Sequence, residues 1–144
     1  MHVRRILCAT DFSASADRAL EHAIMLAQGL HAEIQLLHVY QQTGGHSMAF
    51  SVRTPVHFEQ TVTARYHQQL DEIIARYADR NVVISGVLTE GPAWERILSK
   101  AKELKVDMIV IGRNGRAGLS QLFVGSAATR IVKHATVPVL TVRG

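Results

Sequence analysis

Residues 112 to 135, GRNGRAGLSQLFVGSAATRIVKHA, concentrate the residue types of this 144-residue chain that can hold an anion. Two residues separate Gly112 from Gly115, nine more separate Gly115 from Gly125, and Ser126 follows directly. Glycine takes positive φ and lets a ligand approach the backbone closely. Successive N–H groups exposed in this way form a concave anion site. A helix opening at Ser126 would add its unpaired N–H donors and the positive end of its dipole. The Ser126 hydroxyl then either caps that helix or contacts a phosphate oxygen. Arg113 and Arg116 add positive charge nearby, or are solvated surface arginines. Glycine also serves strand-to-helix connections merely to turn. Three glycines plus a capping serine favour phosphate binding over a plain turn.

No catalytic constellation accompanies the loop. It lacks the Gly-Lys-Ser/Thr ending of a P-loop, so no lysine reaches the terminal phosphates. Gly112, Gly115 and Gly118 do not spell the dinucleotide fingerprint, and there is no Gly-x-Ser-x-Gly elbow to expose a nucleophilic serine. His2, His22, His31, His38, His46, His57, His67 and His134 are dispersed, with no His-x-x-x-His or His-x-His pair to seed a zinc site. They read as surface or helix-end residues. His38 alone falls close to the predicted site, and a structural role is the reading favoured for it. Glu90 and Asp107 lie near strand ends without an obvious partner.

The loop must be positioned by regular elements. Val3–Ala9, Glu33–Val39, Val82–Leu88, Asp107–Ile111 and Val137–Val142 are short runs rich in Val, Ile and Leu, the pattern of strands buried on both faces. Helical spacing lies between them. Ala16, Leu20, Ala23, Ile24, Ala27 and Leu30 form one apolar stripe on a helix from about Ser13, and Val62, Tyr66, Leu70, Ile73, Ile74 and Tyr77 form a second. A third helix starts with Pro92 and buries Ile97, Ala101 and Leu104. Ala127, Ile131, Val132 and Ala135 mark a fourth, with Lys133 and His134 near its negative end. Five strands alternating with four helices predict an α/β fold: one open five-stranded parallel sheet with helices on both faces. Ligands of such sheets bind beyond the carboxyl ends of the strands. The decisive residues are therefore Thr10 to Ser13, Val39-Tyr40 and Gly112 to Gly115. Gln41 to His57 is too long for an ordinary crossover turn and reads as a surface loop or a lid.

Composition sets the outer bounds. Hydrophobic residues make up 47% and charged residues 19% of the chain, which places residues 1–144 in one globular domain. No apolar run approaches a membrane span, and the charged first strand is unlike a signal peptide. Cys8, the one cysteine, lies inside the apolar run Ile6 to Ala9 and reads as core packing in a reducing, cytoplasmic setting. The net charge of +4 suits an anionic ligand. The basic residues are spread along the chain, without a basic arm or interleaved aromatics, which disfavours nucleic acid.

Gly112, Gly115, Gly125 and Ser126 match the Gly-x2-Gly-x9-Gly-Ser/Thr pattern of the universal stress protein family. ILCATDFS, GPAWERILSKAKELKVDMIVIGRNG and the ending VPVLTVR extend the resemblance over nearly the whole chain. It implies a Rossmann-like fold of the adenine nucleotide α-hydrolase type, a homodimer paired through the C-terminal edge strand, and ATP, ADP or AMP as ligand, with Mg²⁺ beside the phosphates. By similarity Asp11 approaches the ribose and adenine, Val39 offers its backbone to the adenine edge, and Ala9, Thr10 and Ile111 line the base pocket. Gly112 sits near the ribose, while Gly115, Gly125, Ser126 and Ala127 hold phosphates. Asp11 would also serve as a cap on the first helix, and Val39 as plain core. Some members carry a second hydroxyl two residues after the serine; Ala128 stands there, removing one phosphate contact. The function implied is a nucleotide-binding regulator of the stress response with slow or no hydrolysis. The alternative is an interaction protein whose dimer surface acts and whose glycine loop is structural.

Overall fold

The computed structural model describes residues 1–41, 56–113 and 126–143. Five strands and four helices alternate along them: β1 Arg5–Ala9, α1 Ala14–Leu30, β2 Glu33–Tyr40, α2 Val56–Arg76, β3 Ile84–Glu90, α3 Ala93–Glu103, β4 Met108–Gly112, α4 Ser126–His134 and β5 Val139–Val142. The strands are all parallel and ordered β3-β2-β1-β4-β5. The predicted open, five-stranded α/β sheet is the observed one.

Alternation along each strand sends side chains to opposite faces. Ile6 and Cys8 of β1, Ile34 and Leu36 of β2 and Val110 of β4 pack with α1 and with Leu70 and Ile73 of α2. Leu7, Leu37, Ile109 and Ile111 pack on the other face with Ile97 and Ala101 of α3 and Ala128 and Ile131 of α4. Each fully buried aliphatic side chain of these two cores contributes about 1.5–3 kcal/mol. Cys8 belongs to the first core, and burial pushes its thiol up to about 12, so it stays protonated and inert.

Several boundaries differ from the sequence expectation: β1 starts at Arg5 rather than Val3, β2 runs on to Tyr40, β4 spans Met108–Gly112 rather than Asp107–Ile111, and β5 starts at Val139 rather than Val137. β3 starts at Ile84 rather than Val82, because Ile84 is the residue that pairs with Ile34, while Val83 is exposed. Pro92 is the N-cap of α3 rather than its first helical residue: its ψ of 130° is extended, and its carbonyl accepts the Arg96 N–H. α2 already runs from Val56, where a loop was expected to continue to His57; residues 42–55 of that stretch lie outside the described residues. Burial on both faces holds for the inner strands but not for β3 and β5, which are edge strands with exposed positions. Asp107 does have partners: its Oδ2 accepts the backbone N–H groups of Arg4 and Arg5. Those two donors hold its carboxyl below the usual carboxylate value. They also tie the start of β1 to the start of β4.

Candidate functional site

The chain moves outward from β1 to β2 and β3 on one side, and from β4 to β5 on the other. The order therefore reverses between β1 and β4, and their carboxyl ends leave a crevice there because their following connections diverge. Ala9, Thr10 and Asp11 leave β1 on one side of it, and Ile111, Gly112 and Arg113 leave β4 on the other. A cavity of about 140 Å³ lies between them.

Of the residues singled out by sequence, Ala9, Thr10, Asp11, Val39, Ile111, Gly112, Arg113 and Ala127 all line this cavity. Ser126 opens α4 and is exposed, off the described wall. Gly115 and Gly125, like Arg116 and Gly118, lie outside the described residues. Ser13, Ala16, Leu37, Ala93, Ile97, Ala128 and Ile131 complete the wall. Sequence reasoning put several of these in the core without aiming them at a ligand. Their helical spacing was the available signal, since Ile97 and Ile131 face the same sheet surface as Ile111.

The β1–α1 turn is tightly held. Phe12 N–H donates to Thr10 Oγ1 at 3.0 Å, and Ser13 N–H to Asp11 Oδ1 at 2.9 Å. Ser13, not Asp11, is the N-cap of α1, accepting the Ala16 N–H. Asp11 thus braces the turn while lining the cavity. Phe12 has φ of 65°, a left-handed conformation that costs a non-glycine residue about 1–2 kcal/mol. Its ring offsets that by packing 4.3 Å from the His38 ring, with Tyr66 of α2 beyond.

Across the crevice, Gly112 passes α1 so closely that a Cβ there would lie 2.6 Å from Ser15 Oγ and 2.9 Å from the Ser15 carbonyl oxygen. Behind the cavity, α3 and α4 are clasped by Trp94, whose ring lies 5.3 Å from the Arg130 guanidinium and 5.7 Å from the His134 ring.

The rim at β2 has unusual backbone geometry. The β1–β2 register ends at Ala9 opposite Leu37, and Thr10 N–H adds a last rung to Leu37 O at 2.8 Å. Odd-numbered residues of β2 direct their backbone groups at β1, as Glu33 N–H does to Arg4 O. Val39 N–H and C=O point the same way. The Thr10 carbonyl, which would meet Val39 N–H if the ladder continued, accepts instead from His38 Nδ1 at 2.8 Å. His38 is 5% exposed, so the one histidine placed near the site by sequence is a core residue rather than a surface or helix-end one.

Chemically, the cavity offers an apolar slot, a donor and an acceptor on one backbone residue at its rim, a carboxylate, and a cationic side chain at Arg113. Among the described residues no group of three or more His, Cys, Asp or Glu could hold a metal ion, and no helix is long and apolar enough to cross a membrane.

Comparison with known proteins agrees with this fold. Residues 2–143 match the model of the family described as "Universal stress protein family". The chain is 30% identical to universal stress protein YxiE of Bacillus subtilis, over 96% of this chain and 98% of that one. Its fold superposes on the structure of protein MJ0577 of Methanocaldococcus jannaschii with a TM-score of 0.85 and 25% identity, covering 100% of this chain and 98% of the other. It shares its fold, at 22% identity and a TM-score of 0.68, with a universal stress protein from Archaeoglobus fulgidus solved in complex with dAMP; 99% of each chain is covered. The strand order, the crevice between β1 and β4 and a match running almost end to end converge: the chain belongs to the universal stress protein family.

Proposed function

We propose that this protein binds an adenine nucleotide, ATP or its products ADP and AMP, in the crevice between β1 and β4, and acts as a cytoplasmic regulator of the stress response rather than as a fast enzyme. The observation carrying this reading is the cavity itself, on which Ala9, Thr10, Asp11, Val39, Ile111, Gly112, Arg113 and Ala127 converge from four separate elements. Its apolar part suits a flat base. The backbone donor and acceptor of Val39 match the N1 and N6 edge of adenine, and Asp11 suits ribose hydroxyls. Its 140 Å³ is below the roughly 300–1,000 Å³ of a pocket that encloses a whole ligand. The enclosed part therefore takes the base end. The phosphates belong to Gly115, Gly125, Ser126 and Ala127, with Arg113 adding positive charge and Mg²⁺ accompanying them. The dAMP complex of the Archaeoglobus relative supports a nucleotide of this kind. Rapid hydrolysis would need an aligned water and a charge clamp on the transferred group; the reading assigns neither, so turnover is slow or absent.

The test is to denature freshly purified protein, identify any released nucleotide, and titrate the emptied protein calorimetrically with ATP, ADP and AMP. Saturable binding at micromolar concentration is expected. No heat from any of the three would sink the reading.

A second reading rests on β5, which closes one side of the sheet with Leu140 exposed. An uncovered edge strand readily pairs with another chain, and the interaction-protein alternative places a homodimer there. The expected light-scattering mass is near twice 15.9 kDa, falling to the monomer value in Leu140→Asp. A wild-type monomer at micromolar concentration removes this reading.

A further inference from the structure

We propose that His38 is a positioning residue for base recognition: by holding the Thr10 carbonyl it ends the β1–β2 ladder one rung early and leaves the Val39 N–H open to the ligand. The inference rests on the nucleotide reading above and adds to it a residue outside the cavity wall.

The argument starts from strand parity. In this parallel pair Glu33 N–H bonds Arg4 O and the ladder proceeds in steps of two. The next rung after Thr10 N–H to Leu37 O would run from Val39 N–H to Thr10 O. Among the described residues that rung is absent, and the register stops at Ala9 opposite Leu37. The Thr10 carbonyl is nevertheless satisfied, because His38 Nδ1 lies 2.8 Å from it. A carbonyl oxygen only accepts, so Nδ1 carries the proton in this bond.

The direction of that bond explains the missing rung. The side chain of His38 rises on the α1–α2 face of the sheet, against Phe12 and Tyr66, and Tyr66 in turn meets Tyr40. A carbonyl aimed at a ring above the sheet is turned out of the plane in which a ladder rung forms. The left-handed turn at Phe12 immediately afterwards carries the chain away from β2. Val39 is left with a backbone donor and acceptor beyond the last rung, on a residue that lines the cavity. Val39 is half-buried at the cavity rim, and a base that supplies the acceptor gives its N–H a partner inside the protein. His38 therefore works from one face of the sheet on a ligand bound at the other.

Three measurements test this on the full chain: titration with ATP, titration with ITP and inorganic tripolyphosphate, and amide hydrogen exchange of the ligand-free protein. ITP carries N1–H where ATP has an acceptor, so wild-type protein should prefer ATP. His38→Phe keeps the aromatic packing on Phe12 and Tyr66 but has no donor. It should bind ATP about ten-fold more weakly, the worth of one hydrogen bond, lose its preference over ITP, and bind tripolyphosphate as before. Its Val39 amide should become protected as the rung closes. His38→Asn, whose side-chain N–H reaches the Nδ1 position, should retain the ATP preference. Equal loss in the Asn and Phe variants, or an unchanged ATP-to-ITP ratio in a folded Phe variant, overturns the proposal. If wild type binds no nucleotide, the ligand reading fails alone and exchange decides the role of His38. A Val39 amide as slow as that of Leu37 in wild type overturns it, with or without a folded Phe variant; fast exchange there supports it.

Discussion

Gly112→Ala should lower the unfolding free energy by about 1–3 kcal/mol, the usual cost of forcing an extra methyl into a packed interior, and weaken nucleotide binding with it. The new Cβ would lie 2.6 Å from Ser15 Oγ and 2.9 Å from the Ser15 carbonyl oxygen. A hydroxyl can rotate, but a helix backbone atom cannot. α1 is fixed by its Ser13 cap, and the end of β4 by pairing with Val142 and by the Arg113 N–H on Val142 O. Relief must come from prising β4 off α1, both of which line the cavity. At about 2–4 °C per kcal/mol for a domain of this size, the melting midpoint should fall by several degrees. An unchanged midpoint would mean that the two elements are not in this contact. The resemblance put Gly112 beside the ribose; its internal packing already requires glycine, whatever the ligand.

Gly115 and Gly125 should behave in the opposite way. In the proposed function their N–H groups hold phosphate oxygens, and charge-assisted bonds of that kind contribute about 1.5–3 kcal/mol each. A double variant, Gly115→Val with Gly125→Val, should lose affinity for ATP by about 100-fold or more while its urea midpoint stays near wild type. Tripolyphosphate binding should fall in parallel, which separates this effect from that of His38→Phe. A folded double variant that keeps its affinity would refute the assignment of the phosphates to these glycines. The pair of experiments thus sorts the glycines by what each is for, closeness within the protein or closeness to a ligand.

Much of the fold is legible in the sequence because a buried parallel strand has to be a short apolar run, and β1, β2 and β4 are. β3 is misplaced by two residues for a physical reason. Val82 and Val83 are as apolar as the strand, but the register begins at Ile84 opposite Ile34, with the exposed Val83 giving only its carbonyl to the Ile34 N–H, and pairing, not hydrophobicity, sets where a strand starts. The first turns of α2 are missed because the apolar stripe begins only at Val62, so spacing carried no helical signal across Val56 to Thr61. Within the site, Asp11, Val39 and Gly112 could be picked out, since residues just after strands in such sheets face the crevice. Ile97 and Ile131 could be read only as core, and Ala93 carried no signal at all. Which part of a core faces a cavity depends on where two helices stop short of the sheet, and periodicity does not encode that. The bond from His38 to a carbonyl 28 residues away leaves no trace in spacing at all.

The placement of β1 between β2 and β4 has a consequence for synthesis. A chain emerging from its amino end can pair β1 with β2, and β2 with β3, early, yet the opposite wall of the crevice comes from residues 111 to 131. The cleft therefore does not exist on the nascent chain until the residues up to Ile131 have left the ribosome. Any ligand of this cleft binds only once both walls are in place, and by doing so it draws the equilibrium toward the assembled domain over every partly made one.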